Sequence, residues 1–444
     1  MIEIFTIGGF SECGKNMSAV KIDDEVVILD MGVYLPKLID FEEGGGDRKN
    51  LTAEGMIKLG AIPDDSVIAA WKDKVKAIVI GHCHLDHSLA VQFLAPHYKA
   101  PVIGTPYTIE VIKNQLRDEK ISIKNQLIIV NPNSSIKISK NIEIELIHIT
   151  HSTLQTALVA VHTPYGVILY ANDFKLDNDP VLGKKPDYAR LRELGKENVL
   201  CLISESLYAY QEGKTPSEQV AKQMLKDVLF GTANESNAIF ATTFASHIAR
   251  LKSIYEFGHK MGRRVIFLGR SMHKYIQSAK NLNLVDFPDA KIFGFSGEVK
   301  RELKKIEKGK RNDYLIICTG GQGEPESILN KILTNKIDFE LMPNDHVIFS
   351  NRTIPVPVNI ANRNAMEAKL LKKGVSIFRD IHVSGHSYKQ DLKDMITMTK
   401  PQNIIPAHGA EDMQTKFAEL ATGMGYEIDK NFHFGKNGKR INLK

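Results

Sequence analysis

The densest chemistry in the sequence lies at residues 81–87, Gly-His-Cys-His-Leu-Asp-His. His82, His84, Asp86 and His87 offer three imidazoles and a carboxylate, the donors that borderline divalent metals such as zinc and manganese accept. The segment follows the apolar run Lys-Ala-Ile-Val-Ile (76–80) and precedes the helical pattern Ser-Leu-Ala-Val-Gln-Phe-Leu-Ala (88–95). A tight loop at a strand's end can aim His82 and His84 at one ion. Asp86 and His87, at the start of a helix, then face a neighbouring ion, with Leu85 anchoring the loop. A single His-X-His is usually a solvated polar loop, but this denser constellation behind a buried strand points to metal.

Further ligands are expected at other strand ends, because open sheets collect their sites there. His151 follows the strand pattern 142–150, Asp173 follows 167–172, and His408 follows Asn-Ile-Ile-Pro-Ala (403–407). Each alone is more often a structural polar group. Beside an existing histidine cluster they become ligand candidates.

The elements that must position these residues are legible in outline. The first two hundred residues alternate short strands and turns, with strand patterns at 26–32, 76–82, 142–150, 167–173 and 198–205. Residues 36–75, with three consecutive glycines, Pro63 and scattered charges, predict a long excursion or lid-like loop. From about residue 207 strands alternate with helices: 238–244, a helix over 246–262, then 263–269, 314–320, a helix starting near Glu324, and 345–351. That is βαβ patterning with a parallel sheet of its own. Ile248, Leu251 and Tyr255 stand at helical spacing and are expected in the core. The organisation implied is a first domain over 1–206, an inserted α/β domain over 207–377, and the remainder of the first domain over 378–444.

Composition narrows the class without deciding it. The chain has 444 residues, 43% hydrophobic and 25% charged, as soluble globular proteins do. Its net charge of +6 permits a polyanionic partner but does not establish one. Cys13, Cys83, Cys201 and Cys318 are far apart, so neither a disulfide framework nor a cysteine zinc site is indicated. No apolar run approaches membrane-spanning length, and the amino terminus lacks leader features, so a cytoplasmic protein with no membrane partner is expected.

His-X-His-X-Asp-His, a later His151, Asp173 in Ala-Asn-Asp-Phe-Lys and His408 in Pro-Ala-His-Gly together resemble the metallo-β-lactamase superfamily. The resemblance implies its αββα sandwich, and two metal ions per chain, zinc or alternatively manganese. It assigns His82, His84 and His151 to one ion and Asp86, His87 and His408 to the other, with Asp173 bridging and Asp30 bracing the ligand loop. Residues beyond the metal set are similar to the β-CASP nucleases. Glu205 ends Leu-Ile-Ser-Glu, His386 lies in Val-Ser-Gly-His, and a histidine at 408 favours RNA over DNA. Within that branch, Gly-Gly-Phe-Ser-Glu-Cys-Gly-Lys-Asn-Met (8–17), Cys-Thr-Gly-Gly-Gln-Gly-Glu-Pro-Glu-Ser (318–327) and the segments around His386 and His408 are most similar to the ribonuclease J family. The missing carboxy-terminal extension fits an archaeal-type member, and Asn172 stands where glycine is common.

The resemblance implies 5′-to-3′ exonucleolytic hydrolysis of single-stranded RNA, with endonuclease action also open, and a homodimer. Asp86 is then a candidate to orient the nucleophile and His386 to protonate the leaving oxygen, held by Glu205. Ser246, His247, Gly320, Gly321, His382, Ser384 and Gly385 lie in loops before apparent helices and are candidates for a 5′-phosphate pocket. The basic run from Lys300 to Arg311 fits an RNA backbone, although such runs are more often solvated helix faces. Rival classes are a small-ester hydrolase of the same superfamily, a 3′-end-processing RNA endonuclease, and a catalytically silent RNA-binding scaffold. The inserted domain with His386 and His408 argues against the first, the catalytic strands beginning at Met1 against the second, and the full ligand set against the third.

Overall fold

In the computed structural model, which describes residues 1–47 and 50–443, the apolar runs of the sequence become strands whose ends carry the polar residues of interest. The chain folds as two compact units. The first comprises Met1–Asn178, Gly183–Thr215 and Ser384–Lys444; the second comprises Asp179–Leu182 and Pro216–Val383. From sequence the junctions are expected after residues 206 and 377. The first lies later because Thr215 is tied into its own unit, its N–H donating to Asp391 at 2.8 Å and its hydroxyl to the His386 carbonyl at 2.6 Å. The second lies later because the Ile381 carbonyl accepts from Arg250 and Ser350 of the inserted unit.

Two sheets build the first unit. One contains β1 (Ile2–Gly8), β2 (Met17–Ile22), β3 (Glu25–Leu29), β4 (Val75–Ile80), β5 (Val102–Gly104), β6 (Leu127–Ile129) and β19 (Lys439–Leu443), ordered β19-β1-β2-β3-β4-β5-β6. The other contains β7 (Ser134–Lys137), β8 (Glu143–His148), β9 (Ala157–Thr163), β10 (Gly166–Ala171), β11 (Val199–Glu205) and β18 (Asn403–Ala407), ordered β18-β11-β10-β9-β8-β7. Along the central strands both faces of each sheet are buried. In β1, Ile2 and Ile4 join the core between the sheets with Val20, Val79, Val159 and Ile203, while Phe5 and Ile7 face the outer core. Helices cover the outer faces, Pro106–Asp118 on one side and Lys389–Thr399 and Glu411–Gly423 on the other. The result is the expected αββα sandwich.

The segment 36–75 is not a lid-like loop over its described residues. Leu35–Glu43 and Ala53–Lys58 are helices and Asp65–Lys74 is 3₁₀-helical, with Leu38, Met56 and Ile68 buried in the outer core of the first sheet. Arg48 and Lys49, within that segment, lie outside the described residues.

The second unit holds an all-parallel sheet of β12 (Ile239–Thr242), β13 (Arg264–Leu268), β14 (Lys291–Phe293), β15 (Tyr314–Cys318), β16 (His346–Phe349) and β17 (Ser376–Phe378), ordered β14-β13-β15-β12-β16-β17. Ile248, Leu251 and Tyr255 are buried, as expected of the helix Ile248–Lys260. The helix expected near Glu324 starts at Ile328, where the Ser327 hydroxyl accepts the Asn330 N–H; the residues between are turns. No helix among the described residues is long and apolar enough to cross a membrane. All four cysteines are free thiols.

Candidate metal centre

Four of the site residues lie just past the end of a strand. Asp30 follows β3, His82 follows β4, Asp173 follows β10 and His408 follows β18. Asp30, Asp173 and His408 have positive φ of 61°, 64° and 49°. Aspartate and histidine are among the residues that tolerate this region, and such backbone clusters at functional sites. Asp86 and His87 sit in the single turn Leu85–Ser88, with His84 at its N-cap. That turn is clamped against the residues after β3, since a Cβ on Gly32 would stand 1.6 Å from the Asp86 carbonyl oxygen. Only glycine fits there.

The side chains converge into two groups sharing one carboxylate. His82, His84, His151 and Asp173 offer ligand atoms within 4.8 Å of one another, and so do Asp86, His87, Asp173 and His408. His84 Nδ1 lies 3.1 Å from His82 Nε2 and 3.2 Å from His151 Nε2. Asp173 Oδ2 stands 3.1 Å from His87 Nε2, 3.5 Å from His82 Nε2 and 3.6 Å from His151 Nε2, while Oδ1 faces His408 Nδ1 at 3.6 Å. A third group, Asp173, Glu205 and His386, adjoins them.

Supporting contacts fix these rings. Asp30 is fully buried; its Oδ1 accepts from the Gly81 N–H at 2.8 Å, and its Oδ2 accepts from His87 Nδ1 at 2.7 Å and the Tyr170 hydroxyl at 2.9 Å. Asn172 donates to the Tyr170 hydroxyl at 2.9 Å and so joins this brace. His151 Nδ1 donates to the Gly385 carbonyl at 2.7 Å. A ring that donates Nδ1–H to an acceptor keeps Nε2 as a lone-pair donor for a cation. Asn16, 1% exposed, escapes sequence reading: its amide nitrogen lies 2.8 Å from His408 Nδ1 and 3.1 Å from His87 Nε2. It falls in the family-like stretch 8–17, but a lone asparagine carries no sequence signal for partners this distant along the chain.

The residues fit divalent metal. Asp173 Oδ1 is buried without a hydrogen-bond partner. Burial and neighbouring imidazoles hold His82 and His151 well below the ordinary imidazole range, and burial takes His84 down to about 4. Burial opposes ionisation of Asp173, but His408, His87 and His386 outweigh it and hold the carboxyl well below its usual range. Burial likewise opposes charge on His87, yet Asp173, Asp86 and Asp30 hold that ring well above its usual range. Neutral imidazoles around an ionised carboxylate are the forms that bind metal, and ligation would displace a proton from His87.

Beside this centre Glu205 and His386 form a dyad. Glu205 is fully buried; its Oε2 accepts from His386 Nδ1 at 2.7 Å, and its Oε1 accepts from the Phe174 and Ser387 N–H groups and the Ser387 hydroxyl at 2.9–3.0 Å. Burial disfavours charge on His386, but Glu205 and Asp173 outweigh it and raise the ring to about 9. The His386 ring centroid lies 4.9 Å from that of His151 and 5.6 Å from that of His408.

The candidate phosphate-binding residues divide between the units. In the second, Ser246 and His247 precede the helix Ile248–Lys260, with His247 as its N-cap. His247 Nε2 lies 3.5 Å from Glu218, which pairs with the buried Arg250; Arg250 Nη1 lies 3.5 Å from His382 Nδ1. Burial, then Arg250, depresses His382 to about 2, so it offers a neutral N–H. Gly320 and Gly321 follow β15, and the Gly321 carbonyl accepts from Asn351 and Arg363. Neither glycine stands directly before a helix, since six residues separate Gly321 from Ile328. Ser384 and Gly385 belong to the first unit and have tasks there: the Ser384 hydroxyl accepts the His386 N–H at 3.0 Å, and Gly385 holds His151.

Three family models match successive parts of the chain: a beta-lactamase superfamily domain over 65–178, a ribonuclease J beta-CASP domain over 236–370, and a Zn-dependent metallo-hydrolase RNA specificity domain over 377–430. The chain is 43% identical to ribonuclease J of Methanocaldococcus jannaschii, covering all of this chain and 99% of that protein. It is 44% identical to ribonuclease J of Pyrococcus abyssi, covering all of this chain and 97% of that one. Against ribonuclease J of Helicobacter pylori J99 identity is 30%, and the chain spans 60% of the bacterial protein. A crystal structure of a protein of unknown function from Enterococcus faecalis V583 matches the fold with a TM-score of 0.67 at 16% identity, covering 99% of each chain.

Proposed function

The chain belongs to the ribonuclease J family, and from that premise we propose that it hydrolyses RNA phosphodiester bonds with two divalent ions, acting 5′ to 3′ on single-stranded RNA. The observation that carries this is the pair of ligand groups sharing Asp173, with the Glu205–His386 dyad beside them. His82, His84 and His151 would hold one ion, Asp86, His87 and His408 the other, and Asp173 both. The donor set suits zinc, and manganese would take the same ligands. Two such ions would acidify water and neutralise charge on the phosphate, as phosphodiester hydrolysis requires.

The chain's own residues do the rest. Asp86, whose side chain is 26% exposed, accepts a hydrogen bond from the attacking water and orients it. His386 gives a proton to the leaving 3′ oxygen, from the ring nitrogen that Glu205 leaves free. Glu205 fixes the imidazole and favours its protonated form. Preference for a 5′-monophosphate rests on Ser246 and His247 at the amino-terminal end of a 13-residue helix, with Gly320, Gly321 and His382 as further donors. Family membership also supports a homodimer working in the cytoplasm.

Incubation of metal-loaded protein with 5′-labelled RNA tests the reaction. Mononucleotide should be the first labelled product, released faster from 5′-monophosphate ends than from triphosphate or hydroxyl ends. Internal labelled fragments would replace the exonuclease with an endonuclease, and equal rates on all three ends would remove the monophosphate preference. No cleavage of any RNA would sink the proposal.

A further inference from the structure

We propose that the second unit carries a binding site for the RNA backbone, in a cationic groove of about 540 Å³ lined by Arg264, Arg301, Lys304, Lys305, Lys308 and Lys310. The inference rests on RNA being the substrate. The helix Ser296–Glu307 buries Val299, Leu303 and Ile306 against the sheet, which leaves Arg301, Lys304 and Lys305 exposed. Lysines at a helix carboxyl end complement its dipole, and that accounts for Lys304, Lys305 and Lys308 in isolation. It does not account for Arg264, which enters the groove from the start of β13, or for Lys310, beyond the helix.

Counter-charge in the lining is scarce, because Glu298, Glu302 and Glu307 of the same helix lie outside it. Asp313 is the carboxylate in the lining, and Lys304 makes an exposed pair with Asp338 at 3.5 Å. Among the described residues, Arg301, Lys305, Lys308 and Lys310 make no ion pair. Convergent unpaired cations repel one another, and a polyanion relieves that repulsion. The aromatic residue in the lining, Tyr314, is 7% exposed and accepts at its hydroxyl from Arg264 at 3.3 Å, so no open ring is offered for base stacking. Recognition would therefore be of phosphates, without sequence preference.

The test is affinity for a fluorescent single-stranded RNA, measured in chelator across a salt series on the full chain. The variant Arg301→Gln/Lys305→Gln/Lys308→Gln changes three exposed side chains and should melt as wild type does. A control with the same charge loss, Lys226→Gln/Lys369→Gln/Lys372→Gln, alters exposed lysines elsewhere. Each phosphate contact on a single strand contributes about 0.7 to the slope of log affinity against log salt. The groove variant should therefore lose about 2 from the slope and bind about tenfold or more weakly at low salt. The control should stay near wild type, and kcat on a short oligonucleotide should be unchanged in both. An unchanged slope, an equal loss in the control, or no RNA binding by wild type at low salt would overturn the site. Because affinity is read without metal, a failure of the cleavage reaction would be recognised separately.

Discussion

The Glu205–His386 pair separates a proton donor from a ligand. Under the proposed function, His386→Ala should slow single-turnover cleavage by about 100- to 10,000-fold, the range for general acid catalysis, with metal content unchanged. Glu205→Gln should cost less. The carboxylate raises the His386 ring, so its removal should also shift the alkaline limb of the rate profile to lower pH. Loss of an ion from His386→Ala would make that residue a ligand and would require the assignment of His408 to be revised. The seven candidate ligands were legible because each closes an apolar strand or belongs to the 82–87 loop. Asn16 was not, because its contacts with His87 and His408 exist only in the folded chain. Gly385 is a candidate phosphate contact from its loop alone; that its carbonyl also holds His151 had no signal in sequence, because that contact exists only in the folded chain.

At the scale of elements, strands were easier to read than helices. Runs such as Val26–Leu29 and Val199–Ile203 are apolar on both faces because both faces are covered. The helices within 36–75 were hidden by glycines and scattered charge, and they expose their polar sides while burying single residues such as Leu38 and Met56. Pro325 imitates a helix start near Glu324, but Ser327 supplies the cap. One clamp ties elements of the second sheet together. Glu145 on β8 pairs with His162 on β9 at 2.8 Å and with Arg190 of the helix Tyr188–Leu194 at 2.7 Å. Burial raises the Glu145 pKa, but these two partners outweigh it and lower the carboxyl from 4.5 to about 2. A depressed carboxyl stabilises the fold above its unfolded pKa, and that stability is lost as pH falls from about 4.5 towards 2. Glu145→Gln should thus cost about 1 kcal/mol at pH 7, the scale of part-exposed pairs, and much less near pH 2. Thermal melts at both pH values check this; an equal cost at both would exclude the charge as the cause.

At the scale of the molecule, the metal-binding unit is interrupted by the second unit and then completed. After residue 383 the chain returns to supply His386, β18 with His408 at its end, and β19, which pairs with β1 from Ile2↔Leu443 to Thr6↔Lys439. Change of texture near residue 207 made the insertion visible, but the junction residues were not, since their side belongs to hydrogen bonds such as Thr215 to Asp391. The central claim is that two ions sharing Asp173 drive cleavage of RNA. Its most direct test is to strip the protein of metal, add zinc or manganese in increments, and follow the rate on 5′-monophosphorylated RNA. The stripped protein should be inactive, and activity should saturate at two ions per chain. Full activity in the stripped protein, or saturation at one ion, would contradict it.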